Sequence, residues 1–197
     1  LLQSLDLHDS ASDAALVASV CAGPRAQGAV RPLQELIQTF RASHLNQALR
    51  AAKRIRRETA FVVRHRQALL RGQSDLLYED ARGRLRLVDY KTDLDTTRIA
   101  DRYKAQMAAY VFAVCKLSGR RPDEIAVSLY IARTGALLPV PLDQGDNVWV
   151  ASLIDKLCQA LQCARRRPYS ECFQARPAAC TDCYDGTRLL CESFTQT

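Results

Sequence analysis

A chain of 197 residues can bury a full core and fits a single domain. Its formal net charge of +7 suits a polyanionic partner, a property shared with ribosomal, membrane-surface and merely basic soluble proteins, so charge alone decides little. The sequence has no unbroken apolar run long enough to cross a bilayer and opens without a signal-peptide pattern, so a soluble, intracellular protein is expected; a start at Leu1 rather than methionine reads as a piece of a longer chain.

In chain order, residues 11–55 have helical composition. ASDAALVASVCAG closes at Gly23-Pro24, PLQELIQTF follows, and LNQALRAAKRI ends before Arg56-Arg57-Glu58. These segments read as helices that pack ahead of a sheet. Arg50, Lys53, Arg54, Arg56 and Arg57 form a basic cluster, which is either a solvated helix face or a contact for a phosphate backbone. ETAFVVRHRQALL, entered at Glu58, reads as the first strand. His65 within it and His44 at a helix start are read as structural.

Residues 72–110 carry the chemistry. Gly72 to Tyr78 and Leu85 to Lys91 both read as strands, and Glu79 to Arg84, with Gly83 near its end, has the polar composition of a hairpin loop. Side chains two apart on a strand share a face, so Asp89 and Lys91 point one way and Tyr90 the other. If Asp75 faces the same side, two carboxylates and an ammonium converge. Two carboxylates suit a hard cation such as Mg2+ or Mn2+. The charged lysine cannot be a ligand; it would position water or offset charge on a phosphoryl oxygen. The bland alternative is an exposed Asp89–Lys91 ion pair at a strand end. Ile99 to Leu117 has helical periodicity, and Tyr103, Gln106 and Tyr110 share one of its faces, placed either to support the site or to edge a core helix.

Beyond that helix, Glu124 to Thr134 alternates as a strand, Gly135 marks a turn, and Ala136 to Pro141 returns as a short strand that closes the sheet. Asn147 to Ala164 reads as an amphipathic helix ended by Arg165-Arg166-Arg167-Pro168, a basic cluster that could track DNA or cap the helix. Of the eight cysteines, Cys21, Cys115, Cys158 and Cys163 sit in helical patterns and read as small core residues. Cys172, Cys180, Cys183 and Cys191 lie in a Pro-containing tail whose central C-x-x-C is a common metal-ligand spacing, for Zn2+ or an iron–sulfur cluster.

G-x-x-D-L-L, V-D-Y-K-T-D and Y-x-x-Q-x-x-x-Y in that order resemble the RecB-type branch of the PD-(D/E)XK nuclease superfamily, nearest the C-terminal nuclease domain of AddA-like and RecB-like helicase-nucleases. The resemblance implies an α/β, restriction-endonuclease-like fold: a central mixed sheet flanked by helices, with a cysteine-bearing C-terminal tail. The expected division of this single nuclease domain is 1–57 N-terminal helices, 58–141 catalytic sheet and glutamine-tyrosine helix, and 142–197 C-terminal helix and tail. By position Asp75 and Asp89 match the metal-binding acids, Lys91 the catalytic lysine, and Gln106 with Tyr110 the glutamine-tyrosine motif; Glu58 matches a common glutamate of secondary role. Cys180, Cys183 and Cys191 resemble the triplet that holds a 4Fe–4S cluster with one upstream cysteine, here Cys172, Cys21 or a residue outside the chain, although the last gap is longer than usual. They also resemble the degenerate tail of relatives without a cluster. The implied function is Mg2+-dependent DNA hydrolysis in end processing for double-strand break repair and recombination, with a helicase motor in the same chain or a partner subunit, in the cytoplasm at the nucleoid. The alternative is a non-catalytic DNA-binding or helicase-docking module. Leu1-Leu2 resembles the continuation of a family histidine motif whose histidine lies upstream; His8, His44 and His65 do not match its position, so weak metal binding is expected of these residues alone.

Overall fold

Ser43 ends one helix and starts the next. In the computed structural model, which describes residues 2–23 and 27–167, three helices precede the sheet: α1 (Asp13–Val20), α2 (Val30–Ala42) and α3 (His44–Arg50). The Ser43 hydroxyl donates to Phe40 O at 2.7 Å and accepts the Asn46 amide at 3.2 Å, so one side chain satisfies a free group at each helix end. Arg41 of α2 clamps Asp13 of α1 with two hydrogen bonds of 3.0 and 2.6 Å.

Among the described residues five strands form one sheet: β1 (Arg54–His65), β2 (Ala68–Glu79), β3 (Leu85–Lys91), β4 (Ile125–Ile131) and β5 (Ala136–Pro139), in that spatial order. All neighbours are antiparallel except β3 and β4, and that parallel pair needs a crossover, which α4 (Ile99–Ser118) supplies. Strand β3 is covered on both faces. Leu87 packs in a cluster with Met107 and Val111 of α4, whereas Val88 joins Phe40, Leu45 and Tyr130 on the side of the N-terminal helices. Two-sided burial explains why Leu87 and Val88, neighbours that point to opposite faces, are both apolar. The expected mixed sheet between helices is therefore the observed architecture.

The strand boundaries of the basic region differ from the sequence reading. The helix ends at Arg50, and Arg54 and Ile55, expected to close a helix, begin β1, which runs on through Arg56 and Arg57. The stretch read as one strand from Glu58 is two, separated at Arg66-Gln67. Pairing along nearly the whole of β2, from Arg54↔Glu79 to His65↔Ala68, overrides the helical preference of Ala, Lys and Arg. The turn itself carries Arg66 at φ +51°, a conformation usually given to glycine or asparagine, so no turn-forming residue marks it.

Strand β1 also changes its cover. Before Glu58 its inward side chains meet the N-terminal segment: Ile55 packs on that core and Arg57 donates to Gln3 O and Leu5 O at 2.7 and 2.8 Å. After Glu58 they meet α4, with Phe61 edge-on to Tyr110 and His65 edge-on to Phe112 at centroid distances of 5.8 and 5.5 Å. Glu58, at φ +48°, marks the change, and the pairing of β1 with β2 skips it and Asp75. The β2–β3 turn falls at residues 80–84, as expected. Asp80 accepts the amides of Arg82 and Arg84, both at 2.9 Å, and Gly83 takes φ +79°.

The chain divides into two compact units, Leu1–Ala151 and Ser152–Thr197. Helix α5 (Gln144–Ala164) crosses that boundary, and in the second unit it presents Leu153, Leu157 and Leu161 to solvent at helical spacing. Cys21 is the expected core residue; Cys115 and Cys158 are only half-buried. Cys172, Cys180, Cys183 and Cys191 lie outside the described residues.

Candidate active site

Pairing of β2 with β3 runs from Glu79↔Leu85 to Leu76↔Val88 and stops there. The amide of Tyr90 donates instead to Asp75 Oδ2, at 2.9 Å. A carboxylate thus replaces the backbone acceptor that the interrupted ladder no longer supplies, which fixes Asp75 beside β3. Asp89 follows on β3, held by its parallel pairing with Leu129 of the next strand.

Asp89 is buried, and burial pushes its carboxyl above the usual range; the nearby Lys91 ammonium opposes this shift and the charge on Asp75 adds to it. Lys91 Nζ lies 2.7 Å from Asp89 Oδ2, with side-chain exposures of 12 % and 4 % for the lysine and the aspartate. That burial rules out the reading as a solvated surface pair. A buried pair loses much of its Coulomb gain to desolvation, so its presence calls for a reason other than stability.

Helix α4 supplies the rest. Lys91 Nζ donates to Gln106 Oε1 at 3.0 Å and sits 3.6 Å from the centroid of the Tyr103 ring. The Gln106 amide donates in turn to the Tyr110 hydroxyl at 3.0 Å. Burial raises the pKa of Tyr110, the hydrogen bond from Gln106 opposes the shift, and the charges of Asp89 and Asp75 add to it. The five residues expected to form the site, Asp75, Asp89, Lys91, Gln106 and Tyr110, therefore stand together where α4 packs on the sheet. Tyr90 faces away, toward Tyr130, 5.8 Å between ring centroids.

Two further residues join the arrangement. Tyr103 forms the wall behind the lysine, and Asp93 accepts the Tyr103 hydroxyl at 3.2 Å and Arg102 at 2.9 Å. Tyr103 was legible from its shared helical face. Asp93 closes the V-D-Y-K-T-D motif, but its contact with Tyr103 was not legible, because it reaches that ring from a loop that has no periodicity. Glu58 is exposed beside the site and accepts a hydrogen bond from Gln73. His8 and His44 are exposed, and His65 packs on Phe112.

Among the described residues no group of three His, Cys, Asp or Glu side chains is placed to hold a metal. Two carboxylates remain, and they fit a small hard cation that keeps several waters and takes further oxygens from a phosphate substrate. Asp89 Oδ2 supports that fit: it is buried, and although Lys91 Nζ is close, it has no partner in hydrogen-bond geometry. Asp75 keeps Oδ1 available while Oδ2 holds the Tyr90 amide.

The family model described as the PD-(D/E)XK nuclease superfamily matches residues 3–184. The five-stranded mixed sheet between helices is consistent with a restriction-endonuclease-like fold. No curated protein matches the chain.

Proposed function

The chain belongs to the PD-(D/E)XK nuclease superfamily, and from that premise we propose that it is a Mg2+- or Mn2+-dependent DNA nuclease of the RecB type. The observation that carries this reading is Lys91, held between Asp89 and Gln106 against the Tyr103 ring with Asp75 alongside. Asp75 and Asp89 would hold the cation, which supplies Lewis acidity toward the scissile phosphate. Lys91 keeps its ammonium directed into the site and offsets the charge that grows on the phosphoryl oxygens as water adds to phosphorus and the leaving oxygen departs. Gln106 aims the lysine, and Tyr110 accepts from the Gln106 amide so that Oε1 faces Nζ. The α4 roof limits water around Asp89, which strengthens each of these interactions.

In the finer proposal the enzyme processes DNA ends for double-strand break repair and recombination in the cytoplasm, beside a helicase motor in the same chain or in a partner subunit. Net positive charge and the ordered AddA- and RecB-like motifs support it. A cluster or Zn2+ held by Cys180, Cys183 and Cys191 belongs to the same proposal. A second reading, a DNA-binding module with little cleavage of its own, is favoured by the lack of a third metal ligand among the described residues. The test is cleavage of end-labelled single- and double-stranded DNA in Mg2+ and in chelator, by the wild type, Asp89→Ala and Lys91→Ala. The nuclease reading expects metal-dependent cleavage that falls at least about a hundredfold in either variant, with DNA binding largely kept. Full cleavage by either variant would overturn the mechanism, and binding without cleavage at saturating Mg2+ would select the second reading.

A further inference from the structure

The basic cluster around β1 is split by the fold. Arg57 turns to the N-terminal segment, while Arg54 and Arg56 turn to the α4 side and, with Arg120, rim a cavity of about 320 Å³. Its floor is apolar, built by Phe61, Leu77 and Val114. Leu117 stands at its edge, 63 % exposed. One carboxylate, Glu79, also lines it, so three guanidinium groups face a single acid and the opening is net cationic.

The cavity borders the site on two elements. Ser74 lines it and is followed by Asp75; Val114 lines it and lies one helical turn, about 6 Å, beyond Tyr110. An apolar slot with a cationic rim fits a flat, weakly polar ring carrying an anionic group, and its lining reaches the residue next to Asp75 and a point one helical turn from Tyr110.

We infer that this cavity is a nucleotide subsite: it takes one base of a single DNA strand against Phe61, Leu77 and Val114, and Arg54, Arg56 and Arg120 hold the flanking phosphates. The inference deepens the nuclease reading by naming what sets the position of the strand. It does not need catalysis, because it concerns binding alone.

The test measures fluorescence anisotropy of the full chain with a labelled single-stranded DNA decamer in chelator, so that cleavage plays no part. One abasic residue is walked along the decamer. The wild type should lose about fivefold to tenfold in affinity at one position of the abasic residue and little elsewhere. Arg54→Ala/Arg56→Ala should weaken binding at least about tenfold and lower the slope of log affinity against log salt. Leu117→Glu, at an exposed position where folding is undisturbed, should weaken binding of the intact decamer and abolish the abasic penalty. Val114→Phe should do the same by filling the slot, with its melting curve as the folding control. An affinity indifferent to the abasic residue and to Leu117→Glu would overturn the subsite, whether or not the protein cleaves DNA. Binding of free thymidine monophosphate with no abasic penalty on the strand would overturn it as well. A failed nuclease reading would appear instead as binding with this pattern and no metal-dependent cleavage.

Discussion

Asp75 has two separable duties. One oxygen holds the Tyr90 amide where the β2–β3 ladder stops, and the negative charge contributes to the acidic pair. Asparagine keeps an acceptor of the same shape and removes the charge; alanine removes both. Asp75→Asn should therefore unfold within about 1 kcal/mol of the wild type, whereas Asp75→Ala should lose about 1–3 kcal/mol by leaving the amide unpaired. Urea unfolding of the two variants measures the difference, and equal losses would show that the hydrogen bond carries no stability. Both should lose cleavage. Lys91 is a contrasting residue: its ammonium is surrounded by a carboxylate, an amide oxygen and an aromatic face, an environment that orders a side chain otherwise costly to fix.

At the scale of elements, the β2–β3 hairpin is held by one acid. Two backbone amides and the Arg86 guanidinium converge on Asp80, and the backbone hydrogen bond from Arg84 is the largest of the influences that draw its carboxyl down to about 2 from 3.8. Its folded pKa lies below the unfolded one, so its contribution is complete above pH 3.8 and is lost as pH falls through about 2. Wild type and Asp80→Asn should thus differ most in melting temperature near neutral pH and converge toward pH 2; a constant gap would refute the assignment. This turn was legible because Asp80 and Gly83 are turn residues. The Arg66-Gln67 turn was not, because neither residue announces a reversal and only cross-strand pairing reveals it. Helix α4 was legible from its periodicity, and with it the shared face of Tyr103, Gln106 and Tyr110. The paired order of Asp89 and Lys91 followed from strand geometry alone. What periodicity could not show was depth: an aspartate and lysine two apart look the same whether solvated or buried, and only packing by α4 distinguishes them. The division of the arginine cluster was hidden for a related reason, since it depends on the layer that covers each half of β1.

For the molecule as a whole, β1 ties together two hydrophobic clusters on opposite sides of the sheet. Ile55 belongs with the N-terminal helices, and Phe61 with α4. No loop intervenes between them. Hydrogen exchange should accordingly give the amides of Ile55 and Phe61 nearly the same opening free energy, rising and falling together when either cluster is weakened by Phe40→Ala or Met107→Ala. Separate responses to the two substitutions would show two independent cooperative units. The irregularity at Glu58 has a bearing on protein engineering too. Residues 54–65 form one strand by pairing, yet transplanted as a cassette into an ordinary flat sheet they would find no matching host, because their start requires a lining on one side and their end a lining on the other.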